Sequence, residues 1–487
     1  MPPVHRRHKL AFALAALFFN PPVFATNGVN MEGYGPLAAA MGGAGMAYDN
    51  GNAATMNNPA TLALAQQGIR IDLALGRLGP SVKSNNAASD GKAYYMPAFG
   101  ISYRRNDWIF GLGVFAQGGM GTEYADSFVS GHLQSMLGSP VSDPGFANRS
   151  EVCVGRAILP LAWQASDRLT LGVSLDYVWA NMDLKMLIDG RHFADLLNGN
   201  GTFGSAGGSM IQGFQGAMGA GLINDVQWGY FNFSDNNKFT GAAKATGYAG
   251  KIGATYKLND KLTLGFSYHS QTSLNDMQAE NAQMIMRTDI SAAGATAWGL
   301  PGAGSYDLPL SGKLRVINFQ WPELYGFGFA YQADDRWLLV GDYRRIGWKK
   351  VMEHFQMQFQ VSPAASNAAF AGANLDMSMR QDWRDQNVFM FGAAYRYDSA
   401  LTLRGGVNLA NTPVPDATVN PLFPAIVRNH LTLGAGYTFP GSGSLNFSLS
   451  YGPRVKLTNN YGYLPGSENA TISHRQINAQ LMYSWYL

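Results

Sequence analysis

The chain has 487 residues, 46% of them hydrophobic, 12% aromatic and only 14% charged, with a formal net charge of +3. A soluble domain carries roughly 25% charged residues, yet beyond the first twenty residues no stretch approaches the roughly 20 apolar residues of a membrane helix. A helical membrane protein is excluded, the aromatic content argues against disorder, the single cysteine excludes a disulfide framework, and the small net charge implies no nucleic-acid partner.

His5, Arg6, Arg7, His8 and Lys9 form a basic start, Leu10 to Phe19 an apolar run, and Val23-Phe24-Ala25 a small-residue cleavage site. Residues 1–25 therefore read as a secretory signal peptide and are set aside from the fold. Residues 26–66 show no period of two. Gly33, Gly35, Gly42, Gly43, Gly45 and Gly51 crowd there with Asn58-Pro59-Ala60, predicting tight bends and short helical turns. Such a segment ahead of a barrel is either a plug or a bare linker.

Residues 67–487 alternate. Leu169, Leu171, Val173, Leu175 and Tyr177 fall on one face, and Thr170, Gly172, Ser174 and Asp176 on the other. The same pattern recurs near 262–268, 325–331, 431–437 and 445–451, and runs through Ile477–Leu487. A period of two predicts strands with one apolar and one polar face. Short Asn-, Asp- or Gly-containing turns lie near 104–107, 166–168, 258–260, 333–336, 397–399 and 440–443. Long connections lie at 79–93, 126–150, 190–243, 276–312, 361–381, 413–427 and 459–470. These connections predict a 14-stranded antiparallel transmembrane β-barrel with a small N-terminal plug. Aromatics at strand ends, such as Tyr177, Tyr268, Tyr395, Tyr483 and Trp485, fit the interfacial girdles of an outer-membrane barrel.

Parity points Arg156, Lys251, Arg344 and Arg404 into the lumen with Asp72, Asp176 and Asp342. These cations suit either an acidic headgroup or a network that holds the plug. Adjacent Arg344 and Arg345 predict a bulge, or a level above the membrane, near 344–346, because an arginine facing lipid is costly. The 190–243 connection, rich in apolar residues such as Phe214 and Met218, suggests an external capture surface or a cap over the barrel. The eight histidines are scattered, no Ser/His or metal spacing stands out, and no cofactor or enzymatic function is expected. Cys153 reads as a small thiol facing lipid.

Gly33 to Ala47, followed by Asn50 to Ala60, resembles the hatch of the FadL/TodX family of outer-membrane channels for hydrophobic compounds. Gly111 to Tyr124 resembles the family's third strand, and Trp321 to Tyr331 with Trp337 and Trp348 its eighth and ninth strands. Gln117 and the terminal Leu487 depart from the usual pattern. The resemblance implies a plugged, monomeric barrel in outer-membrane lipid that releases its ligand sideways where the third strand is kinked. Gly118, Gly119 and Gly121 are the candidate kink, and Asn58, Pro59 and Ala60 the hatch residues nearest it. The implied substrate is a hydrophobic small molecule, foremost a long-chain fatty acid, with an aromatic hydrocarbon as the alternative. A general diffusion porin is the rival reading.

Overall fold

The computed structural model describes residues 27–124, 146–198, 204–237, 240–441, 443–459 and 470–487. The signal peptide and most of the connections expected at 126–150 and 459–470 lie outside the described residues. Sixteen strands make up the wall: β1 (Gly68–Ser84), β2 (Tyr94–Arg105), β3 (Trp108–Tyr124), β4 (Asn148–Gln164), β5 (Leu169–Asp189), β6 (Ile223–Phe233), β7 (Ala243–Lys257) and β8 (Leu262–His269), then β9 (Met277–Ile290), β10 (Leu324–Gln332), β11 (Trp337–Ile346), β12 (Gln386–Arg396), β13 (Leu401–Ala410), β14 (His430–Phe439), β15 (Gly443–Asn459) and β16 (Ala470–Tyr486).

All pairings are antiparallel. The sheet closes on itself where β1 meets β16, from Arg70 opposite Tyr486 to Ser84 opposite Ile472. The expectation of fourteen strands is corrected, since the main ring takes in sixteen. β5 and β7 pair directly over Leu169–Met182. Beyond that level β5 turns to β6, β6 pairs with β9, and β9 returns to β7 at Gln278 opposite Lys244.

The cause lies in the long connections. Those expected at 190–243, 276–312 and 361–381 carry strands of their own, and the sheet grows outward through Gly304–Ile317, His354–Val361, Asn374–Arg380 and Gly204–Gly207. Met277, Ala279, Ala282, Met284 and Met286 are buried along β9. A register shift between Ala279 and Ala282 breaks their alternation, which hides the strand in a polar-looking sequence.

The outer face is apolar. Leu175 is 58% and Leu433 65% exposed, a lipid-facing surface that water would not tolerate at this extent. Aromatic pairs frame it. Trp108 stacks on Trp163 at 5.5 Å and Trp337 lies 4.7 Å from Tyr395 near the short turns. Tyr268 and Tyr325 at 4.8 Å and Tyr177 and Tyr248 at 5.9 Å mark the opposite rim. No described helix is long and apolar enough to cross a membrane.

Residues 27–65 lie inside this wall and are almost wholly buried. They hold two single-turn helices, α1 (Pro36–Ala39) and α2 (Ala54–Asn57), and a 3-10 turn over Pro59–Leu64. Pro36 starts α1 where its missing N–H costs nothing. Asn58 caps the 3-10 turn, its Oδ1 accepting from the Ala60 N–H at 3.1 Å. The segment approaches the wall at inward-facing glycines. A Cβ would lie 2.4 Å from Asn52 at Gly100, 2.4 Å from the Ala60 nitrogen at Gly172 and 2.0 Å from the Met46 oxygen at Gly265. At Gly392 and Gly406 it would lie 2.4 Å from Met41 and from the Gly42 nitrogen.

Gly392→Leu should therefore push residues 39–43 off the wall, at an overpacking cost of about 1–3 kcal/mol. The expected outcome in planar bilayers is a steady ion current larger than that of the native protein, with the heat-modifiable gel mobility of a folded barrel retained.

Candidate functional site

β2 and β3 run together only from Arg105–Trp108 to Phe99–Val114. Beyond this, Tyr94–Ala98 stays paired with β1, while Phe115–Tyr124 stays paired with β4. The wall is split there. A bulge marks the start of the split, with Ala116 opposite Gly155, Gly118 opposite Val154, and Gln117 the extra residue. A bulge bends its strand and ends local pairing. Gly118, Gly119 and Gly121 follow it and let backbone pass close by: a Cβ would lie 2.2 Å from the Val29 oxygen, 2.3 Å from the Val152 oxygen and 2.4 Å from the Tyr94 hydroxyl, respectively.

A cavity of about 350 Å³ occupies the split, lined by Met31, Tyr95, Phe115, Gly119, Cys153 and Trp179 among others. Met31 belongs to the N-terminal segment, whereas Tyr95 is 51% exposed on the outer face. The cavity's lining thus runs from the N-terminal segment to the outer face. Cys153, half-buried and opposite Gly119, lines it.

The bare edge of β3 meets residues that sequence reasoning did not single out. The Gly119 N–H donates to the Val29 carbonyl at 3.0 Å, and Asn30 forms an antiparallel bridge with Gly118. The Trp321 indole N–H donates to Asn30 Oδ1 at 2.6 Å. No local pattern marks residues 28–31, because their partner is a strand edge about ninety positions away. The expected placing of Asn58, Pro59 and Ala60 beside the split is corrected. The Asn58 amide donates to Met46 O at 2.7 Å and Ala254 O at 3.2 Å, and the Thr170 hydroxyl donates to Ala60 O at 3.1 Å. These residues pin the segment to β5 and β7.

A second cavity of about 40 Å³ lies deeper, against Val29. Met182, Met186, Met379, Phe319, Phe423 and Trp348 line it, Gln381 and Asn420 supply amides, and no charged side chain takes part. Trp348 packs edge-on against Trp321 at 5.6 Å and Trp383 at 5.3 Å. Methionine suits an apolar site that must adapt in shape.

The lumen charges are met by protein groups. Arg156 Nη1 lies 2.8 Å from Asp176 Oδ2, and Lys251 donates to the same oxygen. Arg344 Nη2 donates to the Gly43 carbonyl at 2.8 Å and to Asn57 Oδ1 at 3.3 Å. Asp342 accepts from the Gly45 N–H at 2.7 Å, and Asp72 from the Asn52 N–H at 2.7 Å. Arg404 donates to the Asn446 amide oxygen at 3.1 Å. Three of these seven groups therefore fasten the N-terminal segment directly.

The bulge expected near 344–346 is absent, and the ladder to β10 and β12 continues unbroken. Alternation sends Arg344 inward and Arg345 outward. At the end of β11, level with Tyr325, Arg345 reaches Asp385 at 2.9 Å. Phe214 is fully buried between Phe193 and Phe370, and half-buried Met218 packs against the same core. Phe214 is thus a core residue of the outer cap.

Residues 22–460 match the family described as "Outer membrane protein transport protein (OMPP1/FadL/TodX)". The toluene transporter TodX of Pseudomonas putida is 30% identical, with a TM-score of 0.75 over 94% of this chain and 99% of that one. The toluene transporter TbuX of Ralstonia pickettii is 28% identical, with a TM-score of 0.71 over the same shares. A Pseudomonas aeruginosa FadL homologue, 17% identical with a TM-score of 0.64 over 96% and 100%, shares the fold. The chain spans about half the length of the curated relatives it matches, among them a 47 kDa outer membrane protein of Pasteurella multocida (strain Pm70) at 22% identity over 223 residues.

Arg344→Met should leave Asp342 buried without its cation and free two acceptors of residues 43–57. A loss of about 3–5 kcal/mol is expected, read as a lower urea midpoint of refolded protein in detergent. Arg345→Met, which breaks an exposed pair, should cost no more than about 1 kcal/mol in the same assay.

Proposed function

The chain belongs to the OMPP1/FadL/TodX family of outer-membrane transport proteins for hydrophobic compounds, and we propose that its substrates are neutral mono-aromatic hydrocarbons. The ligand enters past the outer cap, rests in the methionine- and tryptophan-lined cavity, and leaves sideways through the split between β2 and β3. Residues 27–65 act as the hatch that denies water and ions a straight path.

The observation that carries this reading is the lining of the deeper cavity, which at about 40 Å³ must widen to admit a benzene-sized ligand. Its lining offers aromatic and thioether surface, two amides and no charge. An apolar ligand gains by leaving water, roughly in proportion to the area it buries, and needs no counter-ion. A fatty acid would need a cation, yet Arg156, Lys251 and Arg344 are already engaged by Asp176 or by Asp342 and the hatch. Arg404 meets a neutral amide, which makes it the best candidate for an acidic headgroup. TodX and TbuX, both toluene transporters by name, support the hydrocarbon reading.

Sideways exit follows from chemistry. A hydrocarbon released into water on the far side would lose what it gained on binding, whereas one passing from the lumen into the bilayer never leaves apolar surroundings. The hatch opposes a general porin function, for which large stable conductance would be expected.

Host cells expressing the protein should take up labelled toluene several-fold faster than cells lacking it, with oleate uptake unchanged. Trp348→Ala combined with Met379→Ala should weaken toluene binding to purified protein about tenfold. Saturable oleate binding that is lost in Arg404→Ala, with no binding of toluene, would overturn the hydrocarbon reading.

A further inference from the structure

Gln117 is the extra residue at the register shift in the ladder between β3 and β4. A bulged residue is left unpaired in the ladder. Gln117 is only 5% exposed, and both its main-chain carbonyl and its side-chain oxygen are engaged on the lumen side. The carbonyl accepts from the Tyr34 hydroxyl of the hatch at 2.7 Å. The side-chain Oε1 accepts from Arg156 Nε. Arg156 is fixed by Asp176, and Asp176 also accepts from Lys251 on β7 and from the Ser174 hydroxyl at 2.6 Å.

We propose that Gln117 is the positioning residue of the lateral opening, a latch that holds the bulge inward and so keeps β3 apart from β2. The inference rests on the lateral-exit reading but concerns a different question, namely what keeps the wall split. The stretch Phe115–Tyr124 has no ladder on its β2 side. Without an anchor at the extra residue, the bulge has no reason to persist. A register slip by one position would return β3 to regular pairing and exchange the faces of every residue beyond Ala116. Tyr34 and Arg156 oppose the slip from two directions, one on the hatch and one on β4.

At Gln117 the hatch is joined to the bulge through the main-chain carbonyl and β4 through the side chain. Displacement of Tyr34 frees the carbonyl of the bulge, while Arg156 alone retains Oε1. The charge of Arg156 is therefore used for position, with Asp176 and Lys251 setting the direction of its guanidinium.

The chain's one cysteine makes the proposal measurable, because Cys153 lies opposite Gly119 on the cavity wall. Reaction of Cys153 with N-ethylmaleimide in liposomes reports whether the split is open. The full-length protein, Gln117→Leu and Gln117→Glu would be compared in labelling rate, toluene uptake and toluene binding. Gln117→Leu keeps the volume and removes the acceptor. Gln117→Glu keeps an oxygen for Arg156.

The expected result is at least a tenfold fall in both labelling and uptake for Gln117→Leu. Binding should stay within twofold of native, and Gln117→Glu should stay within threefold in every assay. Native-like labelling in Gln117→Leu would overturn the proposal, as would an equal loss in Gln117→Glu, which would indicate packing rather than an acceptor role. Absence of toluene uptake by the native protein would instead sink the hydrocarbon reading, and the labelling comparison would still decide the role of Gln117.

Discussion

A closed sheet of this circumference encloses more space than its own side chains can fill, and an empty lumen would be a water channel. The protein meets that constraint with its own N-terminal segment, and the close approach of segment to wall governs much else. Glycines on β2, β5, β8, β12 and β13 face inward where hatch backbone lies against them. Their abundance, which composition alone leaves unexplained, follows from this contact. The buried charges follow from it too. Arg344, Asp342 and Asp72 satisfy hatch carbonyls and amides that no water reaches, as buried polar groups require.

The split wall depends on the same contact. A strand edge left bare inside a membrane is costly, because lipid offers its N–H and C=O groups nothing. The edge of β3 is answered in part by Val29 and Asn30. The opening is tolerable because the plug supplies some of the missing ladder. The gap in the wall and the segment in the lumen thus meet at the same backbone groups.

Much of this was legible in the sequence. The period of two fixes which residues of β5, β7 and β14 face lipid, and parity correctly sends Arg156, Lys251, Arg344 and Arg404 inward. The strand count was not legible. β9 carries a register shift in a polar-looking stretch, and β6 lies in a connection whose apolar residues read as a capture surface or a cap. The glycines at 118, 119 and 121 were visible as a kink. Their partners were not, since Val29 and Asn30 meet them across the lumen and the meeting leaves no periodic trace. Asn58-Pro59-Ala60 drew notice as a motif, but its cap and its bonds to β5 and β7 give it a fastening role away from the split.

The hatch also touches both sides of the seam where β1 meets β16. Asn52 donates to Asp72 on β1, while Gln480 on β16 donates to the Gly33 carbonyl at 3.1 Å and Asn478 to Glu32 at 3.0 Å. These bonds bridge the junction between β1 and β16. One short segment therefore holds the first and sixteenth strands of the wall to a common partner, so the seam is tied from within as well as by its own ladder.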